Sequence, residues 1–198
     1  KKMSKPSVTY FNFHGGRGWA VRLLLTLQGV DFEDRRINFP DWVGGEKAKT
    51  RYGSMPVYQE DDFVLHQSNS ILRYLGYKYN MYPENPQQRA LVDELMDAVE
   101  DLGAQVGATL HMPDEEKKAA RKKLGDETVP FFFKAYVTAR ASQAGATEGH
   151  LVGDSMTVAD IKFSGVMRWL RSGMLDDFDS SSTEGYPELD AVHNAVCN

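Results

Sequence analysis

The sequence contains a single cysteine, Cys197, close to the C-terminal end of its 198 residues. One thiol excludes an internal disulfide framework and any multi-cysteine zinc site, and it makes a reducing compartment the default expectation. No apolar run approaches the roughly 18 residues that span a bilayer, and the first six residues, Lys1 to Pro6, lack the apolar stretch of a signal peptide. The cytoplasm is therefore the expected location. Charge of one sign is scarce as well: 23 basic against 28 acidic residues give a net charge of -5. Such a chain has no general attraction for nucleic acid or for an anionic membrane surface. The longest basic cluster, Lys117 to Lys123, is bordered by Glu115, Glu116, Asp126 and Glu127 and reads as a solvated helix face. Internal repeats and low-complexity segments are absent too.

What is present is the composition of a soluble globular chain, with 41% hydrophobic residues, in a length that allows one large domain or two small ones. Ser7 to Phe13 is rich in β-branched and aromatic residues and is closed by Gly15-Gly16, which predicts a buried strand. Gly18 to Gln28 carries apolar residues at helical spacing and stops at Gly29. Phe32 to Asn38 alternates apolar and charged residues less cleanly, as an edge strand does, so the three elements suggest a βαβ unit with a parallel pair. After an irregular stretch, Met55 to Glu60 and Phe63 to His66 flank Asp61-Asp62, a hairpin signal. Ser68 is the expected N-cap of the helix that follows. The order describes a small four-stranded α/β domain ending near Lys78.

Two prolines in a polar setting between Tyr79 and Gln88 have the composition of a linker. Beyond it the pattern is helical. Leu91, Leu95, Val99, Leu102 and Val106 repeat at three and four residues, predicting an amphipathic helix to about Leu110. A second helix opens on Asp114-Glu115-Glu116, whose charges suit a helix N-terminus, and continues through Phe131-Phe132-Phe133 towards Ala141. A third opens at Thr157, with Asp160 at capping-box spacing. The domains expected are thus 1–80, a linker over 81–88, and an all-helical domain over 89–198.

Four segments together, Thr9 to Asn12, Asp41-Trp42, Ser54 to Val57 and Gln67 to Leu75, resemble the cytosolic glutathione transferases, most closely the sigma class. The segment from Gly153 to Asp160 is similar to that family's second-domain helix start, and the resemblance covers nearly the whole chain in the right order. It implies a thioredoxin-like α/β N-terminal domain that binds glutathione and an all-α C-terminal domain that contributes the pocket for a hydrophobic electrophile. It also implies a homodimer with an isologous interface. Glutathione is the expected cosubstrate, and no metal is expected.

The chemistry suits that resemblance. A free thiol of pKa about 8.5 is only about 3% ionised at pH 7, so an enzyme that uses the thiolate must stabilise it. A hydrogen bond from a tyrosine hydroxyl that lowers the thiol pKa by about two units corresponds to about 2.7 kcal/mol. Tyr10 matches the family's catalytic tyrosine, and Arg17 the arginine that supports the thiolate. Met55, before Pro56, matches the residue whose backbone pairs with the middle of the tripeptide, next to a proline that is cis in the family. Gln67 and Ser68 match the residues that hold the γ-glutamyl carboxylate at a helix N-terminus. Trp42 and Lys47 match the indole and ammonium that face the glycyl carboxylate, with Lys49 or Arg51 as alternatives to Lys47. Asp101 resembles the acidic residue that reaches the ligand's ammonium group across the dimer.

The sequence departs from the sigma pattern in two places near this set. His14-Gly15-Gly16-Arg17 replaces an Arg-Gly-Arg run with one residue more, and Ser54 stands where a basic residue is expected. The small residues Gly103, Ala104, Gly107 and Ala108 leave two readings, an open substrate cleft or close helix packing. The leading function is conjugation of glutathione to small hydrophobic electrophiles, as in detoxification, and the sigma resemblance adds glutathione-dependent prostaglandin isomerisation. The alternative is a non-catalytic binding protein or a crystallin-like structural relative. A dithiol reductase on the same N-terminal fold needs a cysteine by the first helix, where none occurs.

Overall fold

The computed structural model describes residues 5–143 and 145–197, so most of the N-terminal hexapeptide read above, residues 1–4, lies outside the described residues. The chain divides into two compact units, Lys1–Asn80 and Met81–Asn198.

In the first unit, β1 (Ser7–Phe11) leads into α1 (Gly16–Leu27) and returns through β2 (Glu33–Ile37), which pairs with β1 in parallel. The short helix α2 (Phe39–Val43) and a 3₁₀ turn at Glu46–Lys49 fill the stretch that lacked a clear pattern in the sequence. β3 (Val57–Glu60) and β4 (Phe63–His66) form the expected hairpin, with Asp61 at φ 49° in its turn. The sheet order is β2-β1-β3-β4, which puts β2 at an edge as its mixed pattern predicts. The helix α3 (Ser68–Lys78) and α1 pack on each other and on the sheet. Val21, Leu24 and Leu25 of α1, Ile71, Leu72 and Leu75 of α3, and Val8 and Tyr58 of the sheet are fully buried. Truncating any one of these leucines to alanine costs about 2–5 kcal/mol.

The sheet register decides where the functional residues gather. Thr9 lies opposite Val57 and Val57 opposite His66. Continuing both ladders by one residue sets Tyr10, Pro56 and Gln67 side by side at one end of the sheet. Phe11 pairs with Ile37 at the same end, just before α2.

The second unit is helical. α4 (Pro86–Ala108) starts inside the stretch that the sequence suggested as linker, because Pro86 occupies the first turn, where no N–H is needed, and the Asn85 side chain accepts from the N–H groups of Gln87 and Gln88. Its buried positions are Val92, Leu95, Met96, Val99, Leu102 and Val106. Of the expected seam, Leu91 is therefore displaced by Val92. α5 (Asp114–Lys123) reaches α6 (Val129–Ala141) through a π-helical turn at Leu124–Thr128. Pro130 lacks the N–H that would continue an α ladder there. In the aromatic run only Phe133 is fully buried, while Phe131 is 70% exposed. α7 (Val158–Leu170) is buried almost all round and packs on α4 and on α8 (Pro187–Cys197). Asp160, fully buried, accepts from Thr157 N at 2.6 Å and from Leu151 N at 2.7 Å, which closes the capping box and fastens the preceding loop. Among the described residues no helix is long and apolar enough to cross a membrane.

Candidate active site

β1 carries Tyr10 to the end of the sheet and buries it to 6% exposure. Beyond it the chain turns through Gly15 and Gly16 into α1, whose first turn lies directly on the tyrosine. A Cβ on Gly16 would stand 2.5 Å from the Tyr10 hydroxyl, and one on Gly18 would stand 2.3 Å from Tyr10 Cγ. Gly16 also has φ +62°, a conformation that favours glycine. This bare surface lets backbone amides reach the phenol: Arg17 N donates to the hydroxyl oxygen at 3.1 Å, and the Gly18 N–H adds to it.

An amide only donates, so the Tyr10 oxygen accepts and its own proton is left for another acceptor. Burial pushes the phenol's pKa up, and the Arg17 and Gly18 amides with the charges of Arg17 and Arg22 offset only part of that rise. The group is thus a protonated hydrogen-bond donor at neutral pH. It is suited to receive an anion in front of it, not to remove a proton.

Arg17 reaches the hydroxyl through its backbone N–H, and its side chain is exposed. The Met55–Pro56 peptide bond is cis, and Pro56 is buried at the start of β3. Gln67 has φ 71° and ψ 116° and sits exposed at the cap position of α3. Ser68 is the first residue of that helix and 6% exposed, so the cap expected at Ser68 falls one residue earlier, with no side-chain capping bond. The first amides of α3 have no partner within the helix and suit an anion.

Trp42 on α2 is 8% exposed and meets the Phe11 ring edge-on at 5.6 Å. Lys47 is exposed, with its stem lying against Gly53. Lys49, one of the alternatives to it, is ion-paired with Glu46. Eight predicted site residues, Tyr10, Arg17, Trp42, Lys47, Met55, Pro56, Gln67 and Ser68, therefore belong to the first unit. Asp101 belongs to the second and is exposed on α4; burial first, and then the charge of Asp101, raises the pKa of Tyr136. A Cβ added at Gly103 or Gly107 meets nothing within 4 Å, so these small residues do not mark close packing within the described chain. Among the described residues no group of three His, Cys, Asp or Glu could hold a metal ion.

Three further residues at this end of the sheet are not in the predicted set. Phe13 stacks on Phe11 and tilts against Tyr10 at 5.7 Å. His66 is 6% exposed, meets Tyr52 edge-on, and has its pKa lowered first by burial and then by Arg51. Arg22, 8% exposed, stands 5.6 Å from the Tyr10 ring centre. Only Arg22 had a signal in the sequence, a lone charge inside the apolar run of α1, which must find partners to be buried.

Residues 6–77 match the family described as "Glutathione S-transferase, N-terminal domain", and residues 100–198 match "Glutathione S-transferase, C-terminal domain". The chain is 32% identical over 187 residues to "Glutathione S-transferase P 1" of Xenopus laevis, covering 93% of this chain and 83% of that protein. It is 28% identical over 196 residues to "Glutathione S-transferase A3" of Mus musculus, covering 98% and 85%. A solved structure described as prostaglandin synthase D of Nilaparvata lugens superimposes with a TM-score of 0.86 at 28% identity, covering 98% of this chain and 93% of that one.

Proposed function

This chain belongs to the glutathione transferase family, and from that premise we propose that Tyr10 activates the glutathione thiol for transfer to small hydrophobic electrophiles. The protein is an enzyme that transfers glutathione, its cosubstrate. The observation that carries the assignment to Tyr10 is its hydroxyl, which accepts from the Arg17 amide and so keeps its own proton to donate. Facing the sulfur, that proton stabilises the thiolate. The thiol proton passes to solvent, the sulfur lone pair forms the new bond to carbon, and the leaving group departs with its electron pair.

The other roles follow the line of the sheet end. The Met55 backbone beside Pro56 pairs with the middle of the tripeptide, Gln67 and Ser68 hold the γ-glutamyl carboxylate at the N-terminus of α3, and Trp42 and Lys47 face the glycyl carboxylate. Asp101 serves the ammonium group of glutathione held by the partner subunit of a homodimer. The proposal includes the domain limits 1–80 and 89–198 with a linker over 81–88, the last three residues of which form the first turn of α4. It places the enzyme in the cytoplasm, in detoxification, and in the sigma class on the strength of the four motifs. The relatives named P and A belong to other classes by name, so the class is the finer part of the reading. The likeness to the Nilaparvata lugens prostaglandin synthase supports testing a prostaglandin endoperoxide beside aromatic halides.

The test is Tyr10→Phe, followed by the ultraviolet absorbance of bound thiolate against pH. We expect the thiol midpoint to rise by about two units, a loss of about 2.7 kcal/mol of thiolate stabilisation, with glutathione still bound. An unchanged midpoint would remove Tyr10 from the reaction.

A further inference from the structure

We propose that Arg22 is a positioning residue for thiolate formation, holding the turn between β1 and α1 by its carbonyl groups so that the amides of Arg17 and Gly18 meet the Tyr10 hydroxyl. This rests on the reading of Tyr10 above and assigns what sets that group in place.

The guanidinium is spent on three partners. Nη2 donates to Phe11 O at 3.3 Å, Nη1 to Phe13 O at 3.2 Å, and Nε to Asp34 Oδ1 at 2.8 Å. The two carbonyls lie where the β1 ladder has ended, one at its last residue and one in the turn. Two donors in a planar fork fix both carbonyls at once, which a lysine ammonium on a flexible stem does not do. These carbonyls lie just before His14-Gly15-Gly16-Arg17, the run that departs from the family pattern, and the segment between them is held as well by Phe13 N, which donates to Phe11 O at 2.9 Å, and by Asn12 N, which donates to Ile37 O at 3.0 Å. Arg22 ties it to the second turn of the helix whose first turn supplies the two amides. The length and direction of the Arg17 contact therefore depend on Arg22, although Arg22 does not itself touch the hydroxyl.

The fork is held in turn. Asp34 on β2 accepts from Arg22 with one oxygen and from Arg36 Nε with the other, at 2.8 Å. One carboxylate between two guanidinium groups leaves a net positive charge of one, with the Arg22 carbon 5.6 Å from the Tyr10 ring centre. Burying an arginine to 8% exposure is costly unless its donors are satisfied, and here the satisfaction is directed at the residues flanking Tyr10. A helix that needed only core packing at this position would be better served by an apolar side chain.

Arg22→Lys keeps the charge and the reach to Asp34 but loses the fork. We expect the midpoint of the bound thiol to rise by about 0.5–1 unit, a three- to tenfold loss of thiolate at low pH. The loss in kcat/KM should then be about that size at pH 6 and shrink towards nothing at pH 9, with the KM for glutathione within about threefold. In the Tyr10→Phe background the same substitution should leave the midpoint where Tyr10→Phe put it. Asp34→Asn retains an acceptor for Nε and removes a negative charge, so its midpoint should lie at or below that of the unaltered enzyme; it also serves if Arg22→Lys does not fold. A loss equal at every pH, a shift that persists without Tyr10, or a rise in Asp34→Asn overturns the proposal. If Tyr10→Phe itself leaves the midpoint unchanged, the failure belongs to the reading of Tyr10.

Discussion

Gly18 presents its bare Cα to the ring of Tyr10, and a methyl group there would stand 2.3 Å from Cγ. That is far inside van der Waals contact, and the neighbour is a ring fixed to a buried strand. In an open helix Gly→Ala gains about 1 kcal/mol; here overpacking of about 1–3 kcal/mol opposes it. Gly18→Ala is expected to displace Tyr10 from the Arg17 amide and lower kcat by about tenfold or more, since small misplacements at a reacting centre are expensive. Steady-state rates and the near-ultraviolet circular dichroism of Tyr10 and its neighbours check this together. A normal rate with an unaltered spectrum would mean that the first turn of α1 gives way and is not a fixed platform.

Gln67 joins β4 to α3 with φ 71°, a left-handed conformation that a residue with a Cβ adopts at a cost of about 1–3 kcal/mol. Replacing it with glycine removes that cost and the amide side chain together. Gln67→Gly should unfold at a higher urea concentration, by up to about 1 kcal/mol after the entropy of glycine is counted, while its KM for glutathione rises about tenfold. Greater stability with worse binding would mark the strain as serving the ligand. An unchanged KM would assign the side chain no part in holding it.

How legible this was from sequence varied with the physics. The alternation and turn chemistry of β1, β3 and β4 depend on neighbours in the chain, so the hairpin about Asp61-Asp62 and the strand ending at Tyr10 could be read directly. α2 could not, because Phe39 to Val43 makes little more than one turn and has no period to display. The helix cap expected at Ser68 falls one residue earlier, at Gln67, whose positive φ belongs to the turn from β4 into α3 and has no local signature. The network of Arg22, Asp34 and Arg36 joins α1 to β2, and only its helical member betrayed itself, as a charge among apolar residues. Asp160 was legible as a helix start but not as the anchor of Leu151, because that bond crosses a loop.

Lys47 and Lys49 stand in the same 3₁₀ turn, yet Lys49 is ion-paired with Glu46 while Lys47 lies along Gly53. The proposed contact with the glycyl carboxylate therefore assigns them different effects. Lys47→Met should raise the KM for glutathione by about five- to tenfold, consistent with about 1–1.4 kcal/mol for a charged hydrogen bond at a surface, and leave kcat within about twofold. Lys49→Met should change neither by more than about twofold. The reverse result would move the carboxylate contact to Lys49.

Asp160 gives a pH dependence whose sign can be worked out. Burial raises the pKa of its carboxyl from 3.8 to about 6, against the pull of the Thr157 and Leu151 amides, the Thr157 hydroxyl and the charge of His150. A folded-state pKa above the unfolded value means that the folded protein holds the proton more tightly. The stabilisation from this group is fully present below about pH 4 and is lost as the pH rises through about 6. A difference of about two units amounts to about 3 kcal/mol. Glu60, whose carboxylate is lowered by the bonds from Lys78 and Tyr74 that outweigh its burial, acts in the opposite sense and loses stability as the pH falls. The total curve is therefore a sum, and the contribution of Asp160 appears in the difference between the unaltered protein and Asp160→Asn. That variant does not titrate, and it keeps one acceptor oxygen for either Leu151 or Thr157. Urea unfolding at intervals from pH 3 to pH 7 should give a gap between the two proteins that is largest near pH 3 and narrows by about 3 kcal/mol by pH 7. A gap that instead widens with pH would mean that the carboxylate, held by the amides of the capping box, is the form that the fold prefers.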